Sequence, residues 1–426
     1  MLWRNPWRGV RGLPASVWIV FATTLVNRAG TMVLPFMVLY VTRELGVRAG
    51  LAGLALTVYG LGGMISGPIA GRLCDRLGAF AVLRGALILS GAILLVFPFA
   101  GRFETFLAIT LVWSLIAESV RPATLAALTV YVRPEQRKAA VAVNRLGINI
   151  GMSIGPAAGG FLATVSFPLL FLVDGVTAIA AGLVLSGLMV WRPIEGPGSV
   201  SQAGSQARTG ADWLAVLRDR RALLFFTGLF LMAVVFFQHE GALPLFLVRD
   251  LHYKESFYGI LFAVNTVLIV LLEVPLNLAM AGWSHRWTMV LGGVLFAVGF
   301  GSMAVLHSVP GLLLADVIWT FGEMIAMPAS GAYTTDIAPP GRAGQYAGAY
   351  ASTFSLAVLV GPWAGTIALE RFGATALWCG VLVIGLIGAL VLCFVEEVSE
   401  ASSSSLCDSS ADGPGAVQRG KLRRGG

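Results

Sequence analysis

Apolar stretches of about 20 residues recur along the whole chain, and a bilayer core demands that length of a spanning helix. Residues 50–73, 80–100, 167–191, 259–280 and 288–306 are examples. In lipid every backbone polar group must be satisfied within the protein, and runs of this length satisfy them as helices. Of 426 residues, 57% are hydrophobic and only 12% charged, too little charge to cover a water-soluble surface of this size. The chain reads as an all-α membrane protein.

Twelve spans can be counted, over 15–42, 50–71, 80–100, 105–132, 139–164, 168–191, 222–248, 257–280, 288–307, 311–337, 344–369 and 374–395. The first apolar block runs on as a span rather than ending in a cleavage site. With both termini cytoplasmic, 21 basic residues fall on the inner side and six on the outer, while Arg28 and Arg121 lie within spans. That asymmetry is the positive-inside pattern, and it accounts for the net charge of +7 without nucleic acid as a partner. Four scattered cysteines, Cys74, Cys379, Cys393 and Cys407, form neither a disulfide framework nor a metal spacing. Cofactors are expected to be none.

The organisation expected is a six-helix bundle over 1–191, a cytoplasmic linker over 192–221, a second six-helix bundle over 222–396 and a disordered tail over 397–426. The linker is Gly/Ser/Gln-rich at 196–212 and ends in a short amphipathic stretch at 213–221. The halves echo each other. Leu34-Pro35-Phe36 returns as Leu243-Pro244-Leu245, Glu118 with Pro122 as Glu323 with Pro328, and Arg137 with Gly155-Pro156 as Arg342 with Gly361-Pro362. Repetition in register is how secondary transporters build a site that faces either side of the membrane.

The stretch GINIGMSIGPAAGG, 147–160, contains a Gly-x-Ser-x-Gly pattern at Ser153. A nucleophile elbow needs a strand, a sharp turn and His and acidic partners, none of which surrounds Ser153. Gly147, Gly151, Gly155 and Gly159 instead form one helical stripe, a seam that lets two backbones approach closely in lipid. Pro156 removes one donor and invites a kink. Gly63, Gly67 and Gly71 suggest a similar seam on the second span. An enzyme is not expected.

An ionised group at mid-membrane costs about 2.5–3.5 kcal/mol on insertion scales, so each needs a reason. At a rise of about 1.5 Å per residue, Arg28, Glu118 and Glu323 lie roughly 18–20 Å deep in their spans. Glu240, beside Gln238 and His239, lies in the outer part of the seventh span; Asp316 and Asp174 are shallow, and Glu273 is in the inner half of the eighth. Glu118 and Arg121, three apart, share a helix face and can pair. Glu118, Glu323 and Glu240 are the candidate proton carriers. Arg28, Arg121, Gln238 and Asp316 are the candidate cavity residues.

Three motifs carry a family resemblance. GRLCDRLG at 71–78 resembles the inner-loop motif of the major facilitator superfamily, with Gly71, Leu73, Asp75, Arg76 and Gly78 in place. GMSIGPAAGG at 151–160 resembles the fifth-span motif of its twelve-span proton-coupled drug antiporters, matching Gly151, Gly155, Pro156, Gly159 and Gly160. Residues 121–140 resemble that family's inner loop between spans four and five. Ala79-Phe80 stand where the family has a basic pair, and the matching second-half loop at 277–286 lacks the acidic residue.

The resemblance implies two pseudo-symmetric six-helix bundles working by alternating access, with spans 1, 4, 7 and 10 lining a central cavity. It implies that Asp75 and Arg76 latch the halves on the inner side, and that the fifth-span glycines favour exchange over leakage. The function expected is a monomeric antiporter exporting small amphipathic compounds, driven by a proton gradient. Its partners are the lipid bilayer, protons and a small-molecule substrate. The alternatives are a symporter or uniporter importing a metabolite and, from another class, a receptor or scaffold. Arginine makes up 26 of the 29 basic residues, a composition that suggests a bacterial inner membrane.

Overall fold

A computed structural model of the chain describes residues 12–130, 132, 133, 136–191, 216, 218–339 and 342–397. The expected linker, except Val216 and 218–221, and the expected tail beyond Glu397 lie outside them, as does the N-terminal end.

Among the described residues the regular structure is helical, and eleven helices are long and apolar enough to cross a membrane. Ten are α1 (Ala15–Arg43), α2 (Ala49–Leu77), α3 (Ala79–Phe99), α4 (Phe103–Leu128), α5 (Ala139–Val165), α6 (Pro168–Leu188), α7 (Arg220–Asp250), α8 (Glu255–Ala279), α9 (His285–Ala304) and α10 (Val309–Asp336). The eleventh, Ala343–Cys393, runs for 51 residues, far beyond one crossing. Inside it Gly373 has φ 82° and ψ 172°, a backbone state that only glycine adopts readily. Gly373 therefore divides it into α11 (343–372) and α12 (374–393).

The neighbours show that these two arms run in opposite directions. Along α11, Tyr346 lies beside Phe226, and Pro362 beside Gly241, so α11 follows α7 in the same sense. Along α12, Trp378 lies beside Phe246, and Leu392 is back beside Gly228. The chain reverses at Gly373.

The helices pack in the same scheme twice. In the first half α1 lies against α5 and α6, α3 against α6, and α2 against α4. In the second half α7 lies against α11 and α12, α9 against α12, and α8 against α10. The halves meet through α2 with α11 and through α5 with α8, which exchange under the same pseudo-symmetry. At the second contact, a Cβ on Gly160 would come within 2.9 Å of the Gly259 backbone, so two bare backbones touch there.

In three of the interrupted helices, α1, α4 and α7, a proline lies four residues beyond a residue at the break. Proline has no N–H to give the carbonyl four residues earlier. Pro35 leaves the carbonyl of Thr31 without a helical donor, and α1 breaks into Ala15–Gly30 and Val33–Arg43. Pro122 does the same for Glu118, where α4 parts into Phe103–Ala117 and a second segment that starts at Val120. Pro244 does so for Glu240, and the regular helix of α7 ends at Phe236.

The expected glycine stripe on α5 is a seam against α1. A Cβ on Gly151 would sit 2.4 Å from Cβ of Arg28, and one on Gly155 2.6 Å from the Thr31 carbonyl oxygen. The expected seam on α2 is different: Gly63 faces Glu118, but Gly67 and Gly71 have nothing within 4 Å. Small residues there border open space rather than another helix.

Candidate functional site

The breaks in α1, α4 and α7 bring charged residues together. Discontinuous helices at mid-membrane are tolerated where the freed backbone lines a cavity or is covered by protein. Glu118 caps the end of the first segment of α4. Its Oε1 accepts a hydrogen bond from the Tyr59 hydroxyl of α2 at 2.5 Å, and its Oε2 lies 3.7 Å from Nε of Arg121. The pairing expected from their spacing of three is present.

Arg121 has 72% of its side chain exposed, so an open recess reaches it. That recess has a volume of about 330 Å³ and is walled by α1, α3, α4 and α5. Thr24, Asn27, Arg28, Arg121 and Asn144 give it polar groups, and Leu87, Ile148 and Met152 apolar ones. The lining holds two guanidinium groups and no carboxylate. The Thr24 hydroxyl donates to Oδ1 of Asn144 at 2.9 Å, fixing α1 against α5.

Arg28 has Arg121, Glu118, Tyr59 and Asp174 as electrostatic neighbours, and among the described residues it has no ion pair within 4.0 Å. Glu240, at the break in α7, is an electrostatic neighbour of both Arg121 and Glu118. Glu118, Arg121, Arg28 and Glu240 therefore form one charged group contributed by α1, α4 and α7.

Glu323 belongs to a second group. Nδ2 of Asn265 on α8 donates to its Oε2 at 3.0 Å and to Oγ1 of Thr320 at 3.0 Å. Its further electrostatic neighbours are Glu273 and Arg145, which form an ion pair between α8 and α5 and so tie the halves together. Pro328 withholds its donor from the Met324 carbonyl, and Nδ2 of Asn277 supplies one at 3.2 Å.

Gln238 and Asp316 are not brought to the recess. Gln238 is 2% exposed and donates to the carbonyls of Val234 and Gly361, joining α7 to α11. Asp316 is fully buried inside the second half, three residues before Trp319, with neither carboxylate oxygen hydrogen-bonded by distance and angle. Side chains on these helices also serve the helix-to-helix seams, which residue type and depth alone do not separate from the cavity. Asp75 and Arg76 are exposed, and neither forms an ion pair with another described residue.

The two ends of the bundle differ. At the end away from the 71–78 loop, Arg43 pairs with Glu255 and the Gly50 N–H donates to the Glu370 carboxylate, each a link between halves. Contacts of α2 with α11 continue to Gly60, and Gly67 and Gly71 beyond it face open space. The recess extends toward that open end, where Leu125 is 55% and Val141 40% exposed.

Comparison with known proteins gives the family. The sequence model of the Major Facilitator Superfamily matches residues 19–254 and 240–408. The chain belongs to this superfamily. It is a multi-pass membrane protein and a secondary transporter rather than an enzyme.

Among its relatives is the MFS-type transporter YqjV of Bacillus subtilis, 24% identical over 378 residues, covering 86% of this chain and 89% of the relative. A Na(+), Li(+), K(+)/H(+) antiporter of Planococcus maritimus is 24% identical, covering 79% and 85%. Multidrug resistance protein MdtH of Aeromonas salmonicida is 26% identical, covering 87% and 93%. Among solved structures, a POT family transporter in complex with a thioalcohol-conjugated peptide superposes with a TM-score of 0.73 at 16% identity, covering 91% and 97%; this likeness is one of fold.

Sequence reasoning missed Tyr59, Asn265 and the position of Asp174. Tyr59 carries no charge to draw attention in an apolar run. Asn265 is the first polar amide in α8 and was the available signal for Glu323. Asp174 was visible as a charge in a span, but its partners are backbone groups that no side-chain pattern reveals.

Proposed function

We propose that this superfamily member is a proton-coupled antiporter of the bacterial inner membrane, acting as a monomer and exporting small amphipathic compounds by alternating access. In this reading the chain crosses twelve times with both ends in the cytoplasm, which the distribution of basic residues and the reversal at Gly373 support. The open end of the recess is then the cytoplasmic one.

The observation that carries this reading is Glu118: a carboxylate at mid-membrane, on the break in α4, held by Tyr59 and Arg121 beside a water-accessible recess. A group so placed can exchange a proton with one aqueous side and change its hold on Arg121 as it does so. Glu323 and Glu240 act as further carriers, and Arg28 and Arg121 set the charge of the cavity. Gln238 and Asp316 complete the cavity when the helices rearrange, and Asp75, Arg76 and the 71–78 glycines latch the cytoplasmic end when it closes.

Two relatives support exchange and efflux, one named as a cation/proton antiporter and one as a multidrug resistance protein. The test uses energised inverted vesicles, reading collapse of the pH gradient when candidate amphipathic compounds are added. The unaltered protein collapses the gradient with its substrates; Glu118→Gln and Glu323→Gln each reduce the response by about tenfold or more, the scale of one lost charge-assisted bond. Intact pH-driven transport in both variants would remove them as coupling sites.

A further inference from the structure

The break in α1 creates a difficulty that the structure resolves from another helix. The segment beginning at Val33 has N–H groups without intrahelical acceptors, in a part of the molecule where water does not serve them. Oδ2 of Asp174 on α6 accepts from the N–H of Met32 at 3.1 Å and from that of Val33 at 3.1 Å. Asp174 is 4% exposed, and Met32 and Val33 are each 1% exposed, so the arrangement is sealed from solvent.

The positive end of the segment's dipole meets a carboxylate there, so an ionised Asp174 would make charge-assisted bonds to it. The break is gripped again by α6 and, from another side, by α5. A Cβ on Gly30 would collide with the Thr177 side chain of α6, one turn beyond Asp174, and Gly155 of α5 lies against the carbonyls of Arg28 and Thr31. Arg28, which lines the recess, sits three residues before the break.

We propose that Asp174 is a proton-sensitive pin for the hinge in α1. Ionised, it holds the two segments at their present angle through a pair of charge-assisted bonds. A proton on the carboxylate removes that charge assistance and weakens both bonds, and the second segment is then free to tilt against the first. Arg28 moves with the hinge, so a proton taken up at α6 is reported in the cavity as a displaced guanidinium.

The groups facing Asp174 are few. From α1 it meets the two backbone N–H groups and, at longer range, Arg28, its one charged electrostatic neighbour. From α3 the neighbours at this level are Gly91 and Leu95, and from α5 the glycine seam. Arg84 of α3 lies further along, beside Gly182, and Arg145 of α5 is paired with Glu273.

The inference rests on proton coupling, and its experiment separates the two. Spin labels are placed at Glu44→Cys and Arg371→Cys, both exposed at the end opposite the 71–78 loop, in the full chain with its four cysteines replaced by serine. Their separation is read at about pH 8 and about pH 3, on either side of the ordinary carboxylate range. The protein with Asp174 intact changes its distance distribution between the two. Asp174→Asn, which accepts hydrogen bonds but cannot ionise, stays near the low-pH distribution at both values, and Asp174→Glu restores a response.

If Asp174→Asn follows pH as its parent does, the pin is overturned and proton coupling stands. If the parent itself does not respond, the pin falls, and the vesicle assay decides proton coupling separately. Should Asp174→Asn fail to fold, amide hydrogen exchange of Met32 and Val33 in the unaltered protein decides. Corrected for intrinsic rates, it rises several-fold on acidification if the pin is right and stays constant if it is not.

Discussion

The Tyr59 hydroxyl and the Glu118 carboxylate are joined by a 2.5 Å hydrogen bond that ties α2 to the break in α4. The tyrosine ring also lies 5.1 Å from the Trp113 ring, so ring and hydroxyl have separable roles. Tyr59→Phe keeps the packing and removes the donor. A hydrogen bond to a charged group contributes about 1.5–3 kcal/mol, so transport should fall by about tenfold or more while the melting profile in detergent changes little. Vesicle transport at several pH values, measured beside thermal unfolding, checks this.

The ion pair of Arg145 with Glu273 joins α5 of one half to α8 of the other, beside Glu323. Arg145→Glu or Glu273→Arg alone leaves like charges facing each other and should abolish most transport. The double exchange restores an attractive pair and should recover most of the loss. Failure of the double exchange to improve on either single variant would argue that the contact is incidental.

Gly155 sits where α5 meets the carbonyls of the broken α1, and its absent side chain has backbone on the facing side. Gly155→Leu should cost more than the about 1–3 kcal/mol typical of overpacking, because backbone yields less than a flexible side chain. Gly85 on α3 has nothing within 4 Å, and Gly85→Ala should be tolerated. The yield of monodisperse protein and its melting temperature distinguish the two.

At Gly373 the backbone adopts φ 82° and ψ 172° to turn α11 into α12. A Cβ there meets no neighbour, so the penalty of Gly373→Ala is conformational alone. It should be about 1–3 kcal/mol, seen as a lower apparent melting temperature, with transport by the surviving protein unchanged.

Much of the fold was legible because lipid leaves few choices. Apolar runs such as 80–100 and 288–306 require helices, and their lengths place the ends of α3 and α9 to within a few residues. The pairing of Glu118 with Arg121 followed from their spacing, and the stripe from Gly147 to Gly159 announced a close approach. The partner in that approach, α1, was not legible, because a stripe states that something lies near without stating what.

The site was less accessible for the same reason. Gln238 and Asp316 have the composition of cavity residues, yet one bonds to the α11 backbone and the other is enclosed near Trp319. Asp174 was visible as a charge; its role depends on where α6 lies relative to a break in α1, a relation between segments more than 140 positions apart.

In α4 and α7 the acidic residue and the proline that interrupts the helix are separated by a fixed stretch of chain: Glu118 with Pro122, Glu240 with Pro244. Charge and flexibility are thereby written into one short word of sequence. Substituting neighbouring side chains leaves that register intact, whereas deleting a single residue between acid and proline would shift the soft spot by a quarter-turn and leave the carboxylate stranded on a stiff rod.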